Sequence, residues 1–242
     1  MTLKAALFDL DDTLIVSYAN PGPAWKSVVG EFRGEIGRDL VGPVGDAVAH
    51  EMAAFLKDDD NRRLWRLKAV ATRRAAVEDA LRRNGFPDIA GLGGSIADRY
   101  AAFREEHMRL HPGAHEVLDA YRARGIKLGL VTNGAAEVQR MKVARFDLER
   151  RFEHIQIEEE AGFGKPDGRA YVRTLEALGV SPTDAQMTGD DIVWDVLAPM
   201  RLGMEAIWFN PYGLALPATA AVQPDRTIRH LGELLTPAAP SG

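Results

Sequence analysis

From residue 113 onward, short apolar runs alternate with stretches whose apolar residues recur every three or four positions. Ile126 to Val131 reads as a buried strand, preceded by an amphipathic helix over His115 to Arg124. Asn133-Gly134 then turns the chain into a helix over Ala136 to Arg145. His154 to Ile157 is a short strand, and Arg169 to Leu178 a helix closed by Gly179. Ala185 to Thr188 and Glu205 to Phe209 are further strands, separated by a helix near Val196 to Leu202. A weak strand, Arg226 to Arg229, precedes a helix at Leu231 to Leu235, and Pro237 to Gly242 is predicted to be a frayed tail. One more apolar run, starting at Ala5, opens the chain. Strands alternating with helices imply a mostly parallel sheet covered on both faces.

Residues 16–112 break that rhythm, with helical patterns and no convincing strand. Ala24 to Phe32, Val44 to Leu56, Arg62 to Arg83 and Ile96 to His107 are the predicted helices, separated by turns that contain Gly or Pro. In the longest, Leu64, Leu67, Val70, Ala71, Ala75 and Leu81 are the expected apolar face, with Asp58, Asp59 and Asp60 supplying a cap and negative charge before it. Arg62, Arg66 and Arg73 fall on one face of such a helix, which reads as a solvated face or, second, as one that meets an anionic substrate. The expected organisation is a core of residues 1–15 and 113–242 with residues 16–112 inserted as a helical lid.

Composition narrows the function classes. The chain has 242 residues, 46% of them hydrophobic and 27% charged, enough for one α/β domain or a core with an insert. A net charge of −5 gives no footprint for nucleic acid or an anionic membrane. Without cysteine, disulfides, thiolate catalysis and thiolate metal sites are excluded. No apolar run reaches the length of a membrane span, and the start of the chain lacks the form of a signal peptide, so a cytoplasmic protein is expected.

The candidate chemistry lies where predicted strands end. The first strand runs into Asp9-Leu10-Asp11-Asp12-Thr13. If strand geometry persists, Asp9 and Asp11 project from the same face, and two like charges side by side are unfavourable unless a cation or proton exchange is involved. Thr132-Asn133-Gly134 offers a hydroxyl and the amides of a helix start to an anion, or is only a turn. Gly164-Lys165-Pro166-Asp167 offers a lysine to a phosphoryl oxygen, or a solvated side chain. Gly189-Asp190-Asp191, with Asp195 beyond, offers carboxylates suited to a divalent cation such as Mg²⁺, or a helix cap. Other features read as structural. Pro112-Gly113 interrupts the spacing of His107, His111 and His115, and Gly91-Leu92-Gly93-Gly94 is a turn. Glu158-Glu159-Glu160 is a solvated approach to the Lys165 loop, and the scattered methionines are core.

These motifs together resemble the haloacid dehalogenase (HAD) superfamily of hydrolases, in the branch with a helical cap inserted after the first motif. The resemblance implies a Rossmann-like core, Asp9 as nucleophile and Asp11 as general acid and base. It also implies Mg²⁺ bound through Asp9, the Asp11 main-chain carbonyl and Asp190, with Asp191 or Asp195 acting through water. Thr132, the Asn133 amide and Lys165 would hold the transferring group. The implied activity is a Mg²⁺-dependent phosphatase acting on a small phosphate ester through an aspartyl-phosphate. A phosphomutase, a 2-haloacid dehalogenase and a catalytically silent binding protein are the alternatives on the same fold. Pro and Gly at both crossings into the insert lead to the expectation of a lid hinged there.

Overall fold

The computed structural model describes residues 2–17, 21–86, 91–216 and 222–236. The tail predicted at Pro237 to Gly242 and residues 18–20 of the first crossing lie outside them. In chain order, strands β1 (Ala5–Phe8) and β2 (Ile15–Val16) are followed by helices α1 (Pro21–Glu31), α2 (Arg33–Ile36) and α3 (Arg38–Phe55). Then come α4 (Asp59–Leu67), α5 (Ala69–Arg83) and α6 (Leu92–His107). The chain continues through β3 (Arg109–Leu110), α7 (Ala114–Ala123), β4 (Lys127–Thr132), α8 (Ala136–Arg145) and β5 (His154–Ile157). Last come α9 (Glu158–Ala161), α10 (Gly168–Leu178), β6 (Ala185–Gly189), α11 (Ala198–Arg201), β7 (Glu205–Phe209) and β8 (Arg226–Ile228).

Six strands form one sheet in the order β5-β4-β1-β6-β7-β8, and every pairing is parallel. The fold class is therefore α/β, as the alternation of strands and helices predicts. Strand β1 lies between β4 and β6, and its residues Ala5, Ala6, Leu7 and Phe8 have no solvent exposure. A strand covered on both faces needs a continuous apolar run, which this one is. The strand order reverses at β1, because β4 and β5 build out on one side and β6 to β8 on the other. Ligand sites of open α/β sheets form at the carboxyl ends of the strands at such a reversal.

The chain divides into two compact units, Met1–Val16 with Arg109–Gly242 and Ser17–Met108. The second unit is helical. Its core takes Trp25, Val28 and Val29 from α1, Val44, Val48 and Met52 from α3, and Val77, Ala80, Ile96 and Tyr100 from α5 and α6, all at helical spacing. Trp25 stacks on Tyr100 with ring centroids 3.5 Å apart. Gly93, predicted as part of a turn, is already inside α6 and lets it approach α5, since a Cβ there would lie 2.9 Å from Glu78 Cα.

Several local expectations are corrected. The long helix over Arg62 to Arg83 is two helices, because Lys68 leaves helical geometry at φ −124° and ψ 45°. Its N–H still donates to Leu64 O, and its carbonyl accepts from Thr72 N, so one residue ends α4 and starts α5. The break turns Trp65 inward beside Phe55, while Leu64 and Val70, placed on the apolar face by periodicity, are 43% and 60% exposed. Burying an indole removes more apolar surface from water than burying either aliphatic chain. Ala71 and Ala75 are exposed for the same reason, and Arg73, expected on a solvated face, is buried over the Trp65 ring. Residues Ile15–Val16 and Arg109–Leu110 form an antiparallel pair where no strand was expected, each too short for a period of two to be visible. The helix predicted near Val196 to Leu202 begins earlier, as a π-helical turn over Ile192–Leu197 that runs into α11, and Leu231–Leu235 is a 3₁₀ segment. Glu158 opens α9 and is buried rather than solvated. His107 and His115 each contact a separate main-chain oxygen, at Phe103 and Phe146, and His111 is buried against Phe209.

Candidate active site

Strand β1 stops at Phe8, one residue before Asp9, whose N–H donates to Thr188 O at 3.0 Å. The chain then folds back: Leu14 and Ile15 both donate to Leu10 O, and Asp12 adopts φ 58°. Strand geometry does not persist to Asp11, so Asp9 and Asp11 do not share a strand face as expected. Each carboxylate instead accepts from a different ammonium, which offsets part of the like-charge penalty. Asp9 Oδ1 accepts from Lys165 Nζ at 2.6 Å. Asp11 Oδ1 and Oδ2 accept from Lys142 Nζ at 2.7 and 2.6 Å.

Lys165 reaches Asp9 from the loop between α9 and α10. Asn133, just past β4, grips that loop with its side chain: Nδ2 donates to Lys165 O at 2.7 Å, and Oδ1 accepts from Lys165 N at 2.8 Å. The grip requires Gly164, where a Cβ would come 2.4 Å from Asn133 Oδ1. Lys165 is 2% exposed and also donates to Asp195 Oδ1 at 2.7 Å. Burial alone would lower the lysine, but Asp195 and Asp9 outweigh it and hold the ammonium above its ordinary range.

Beyond β6, the two acidic residues in question part company. Asp191 Oδ1 accepts from Val193 N and Trp194 N, capping the π-helical turn. That turn swings Asp195 back under Gly189, where a Cβ would lie 2.2 Å from the Asp195 carboxyl carbon. Asp190 stays half-buried, with Oδ1 3.5 Å from Thr13 Oγ1. Among the described residues, the acidic group close enough to share a cation is Asp9, Asp190 and Asp195, with one oxygen of each within 4.8 Å of the others.

Charge in this group is not balanced. Burial raises Asp9 even against the pull of Lys165. Burial, then Asp9 and Asp195, raise Asp190 well above the carboxylate range, and burial pushes Asp195 up to about 7. Three carboxylates face one ammonium, and hard oxygen donors this close together, one of them open to solvent, match what a small divalent cation needs. The residues therefore fit a metal ion.

Thr132, at the end of β4, is 2% exposed, and its Oγ1 accepts from Gln139 Nε2 at 2.5 Å. Gln139 and Lys142 were not singled out from the sequence. Both lie in α8, and with Val143 they are its buried residues. Positions i, i+3 and i+4 share one helix face, so polar residues beside Val143 on the helix that follows Thr132-Asn133-Gly134 were the available signal.

A family model described as haloacid dehalogenase-like hydrolase matches residues 3–203. The chain belongs to this family. The hydrolase is 29% identical over 249 residues to a phosphoserine phosphatase of Thermus thermophilus, covering 96% of this chain and 98% of that protein. It is 33% identical over 214 residues to a glyceraldehyde 3-phosphate phosphatase of Pyrococcus furiosus, covering 87% and 82%. The crystal structure of a 2-haloacid dehalogenase from Pseudomonas syringae superposes with a TM-score of 0.60 at 25% identity, covering 97% of each chain. No helix among the described residues is long and apolar enough to cross a membrane.

Proposed function

We propose that this hydrolase is a Mg²⁺-dependent phosphatase that cleaves a small phosphate monoester through an aspartyl-phosphate on Asp9. The observation that carries the reading is that Asp9 lies in a cation-ready group with Asp190 and Asp195, while Asp11 is held by its own lysine. Phosphoryl transfer to a carboxylate needs charge neutralisation at phosphorus and a proton for the leaving oxygen. Both needs have a candidate residue here. The phosphatase names of the Thermus and Pyrococcus relatives support the same reading.

Asp9 attacks phosphorus, the bond from phosphorus to the leaving oxygen breaks, and Asp11, which enters this step protonated, gives that oxygen its proton. Water then attacks the phosphoryl group, Asp11 takes the proton from the water, and the bond to Asp9 breaks. Thr132, whose oxygen accepts from Gln139, keeps its own hydroxyl proton for a phosphoryl oxygen. The Asn133 main-chain N–H and the Lys165 ammonium serve the others. Mg²⁺ held by Asp9, Asp190 and Asp195 would neutralise phosphoryl charge. Asp191 is committed to its cap and contributes to the acidic field.

Dehalogenation is the second reading, supported by the Pseudomonas neighbour. Halide leaves without a proton and without a cation, so dehalogenation needs neither a leaving-group acid at Asp11 nor a metal at the acidic group. A phosphomutase would use the same groups and return the phosphoryl group to its substrate.

Purified protein is expected to hydrolyse 4-nitrophenyl phosphate, to lose turnover in chelator and to regain it with Mg²⁺. Asp9→Asn should lower kcat by about 10⁴-fold or more and form no phospho-enzyme. Full activity in chelator would overturn the metal assignment. Chloride release from 2-chloropropionate without phosphatase activity would overturn the reaction class.

A further inference from the structure

Asp11 is fixed by a buried polar ring. Lys142 is 4% exposed, and besides its two bonds to Asp11 its Nζ donates to Gln139 Oε1 at 2.7 Å. An ammonium has three hydrogens, and each is accounted for. Gln139 is 1% exposed and donates from Nε2 to Asp11 Oδ2 at 3.0 Å and to Thr132 Oγ1 at 2.5 Å. The ring therefore joins Asp11 to the hydroxyl at the end of β4. Burying an ammonium is costly unless it is paired, and a methionine would fill the same space in α8 without that cost. Nothing about helix formation calls for a lysine at this position.

We propose that Lys142 and Gln139 are positioning residues that orient the Asp11 carboxylate for both of its proton transfers, and that Lys142 affects the reaction only through Asp11. The inference rests on the role given to Asp11 above. Displacement of a reacting group by about 1 Å costs about 10²-fold in rate. A carboxylate released from its clamp has that freedom about its side-chain torsions.

The two transfers can be separated by leaving group. Nitrophenolate departs without a proton, so with 4-nitrophenyl phosphate only the attack by water needs Asp11. Phenolate is more basic, so phenyl phosphate needs Asp11 in the first step as well. With 4-nitrophenyl phosphate, Lys142→Met is expected to lower kcat about tenfold or more and KM in parallel, holding kcat/KM within about threefold. A burst of nitrophenolate equal to the active sites should precede the slow phase. With phenyl phosphate, kcat/KM itself should fall about tenfold or more. In an Asp11→Asn background, Lys142→Met should add no further loss, because the residue it serves is gone.

Lys142→Gln keeps an uncharged donor beside Asp11 and leaves the bond from Gln139 to Thr132 in place, so it should give the same pattern at smaller size, and it carries the test if Lys142→Met does not fold. Equal losses of kcat/KM with both substrates, or a further loss in the Asp11→Asn background, would overturn the inference in favour of a purely structural role. Wild-type kinetics in both variants would overturn it as well. If Asp11→Asn itself shows no dependence on leaving group, the role of Asp11 fails instead, and the two failures are thereby told apart.

Discussion

Among the described residues, the helical unit buries one formal charge, Arg73, whereas the sheet unit buries Asp9, Lys142, Arg151, Glu158, Lys165 and Asp195. The helical unit is held by interdigitated apolar side chains and the Trp25–Tyr100 stack. In the sheet unit an equally apolar interior carries a charged cluster at the carboxyl ends of β1, β4 and β6. Apolar packing tolerates swaps that conserve volume, while a buried charge depends on its partner being present. The two units should therefore fail in different ways, and a cation should distinguish them.

The largest contrast sets Lys165→Met against Trp25→Ala. Removing Lys165 strands Asp9 and Asp195 without their shared cation, at a cost of about 3–5 kcal/mol. Removing the Trp25 indole leaves a cavity, at a similar cost of about 3–5 kcal/mol. Mg²⁺ should restore part of the stability of Lys165→Met, because binding to the folded state alone stabilises it by mass action. Trp25→Ala should gain no more from Mg²⁺ than the wild type does. Urea midpoints with and without Mg²⁺ measure both, and equal recovery would break the comparison.

A smaller effect concerns His111, whose burial, with the charge of Arg109, pushes it from 6.5 down to about 4. Its Nε2 is buried without a hydrogen-bond partner, so the neutral ring is the form that packs. As pH falls through 6.5, the unfolded chain takes up the proton first, so stability is lost progressively down to about 4. His111→Phe keeps the ring against Phe209 and removes the titration. Its melting temperature should fall less steeply over that window than that of the wild type. Parallel curves would remove His111 from the account of acid stability.

The smallest effect is expected at Leu64. This residue is 43% exposed in spite of its place in the apolar periodicity, so Leu64→Ser should change stability by no more than about 0.5 kcal/mol. Trp65→Ala, one position on, should cost about 3–5 kcal/mol. Comparable losses at the two positions would mean that α4 and α5 present the single face that periodicity suggests.

Much of this molecule follows from its sequence alone. The alternation of apolar runs with amphipathic stretches determined the α/β class and the bounds of β5, β7 and α8, because a strand buried on two faces and a helix buried on one leave different periods in the residues themselves. It also set Asp9, Thr132 and Asp190 at or just past strand ends, since the apolar run stops where the backbone leaves the sheet. Partners were a different matter. That Lys142 would meet Asp11, Lys165 both Asp9 and Asp195, and Asn133 the backbone of Lys165 was decided by strand order and by helices packing across it. Asp191 and Asp195 look interchangeable in sequence, and a π-helical turn sent one to a cap and the other beneath Gly189. Lys68 carries no helix-breaking signal, yet the helix divides there so that Trp65 turns inward. Local periodicity reports which face of an element is apolar. The pairing of buried charges is a long-range property, and only the assembled tertiary structure supplies the partners.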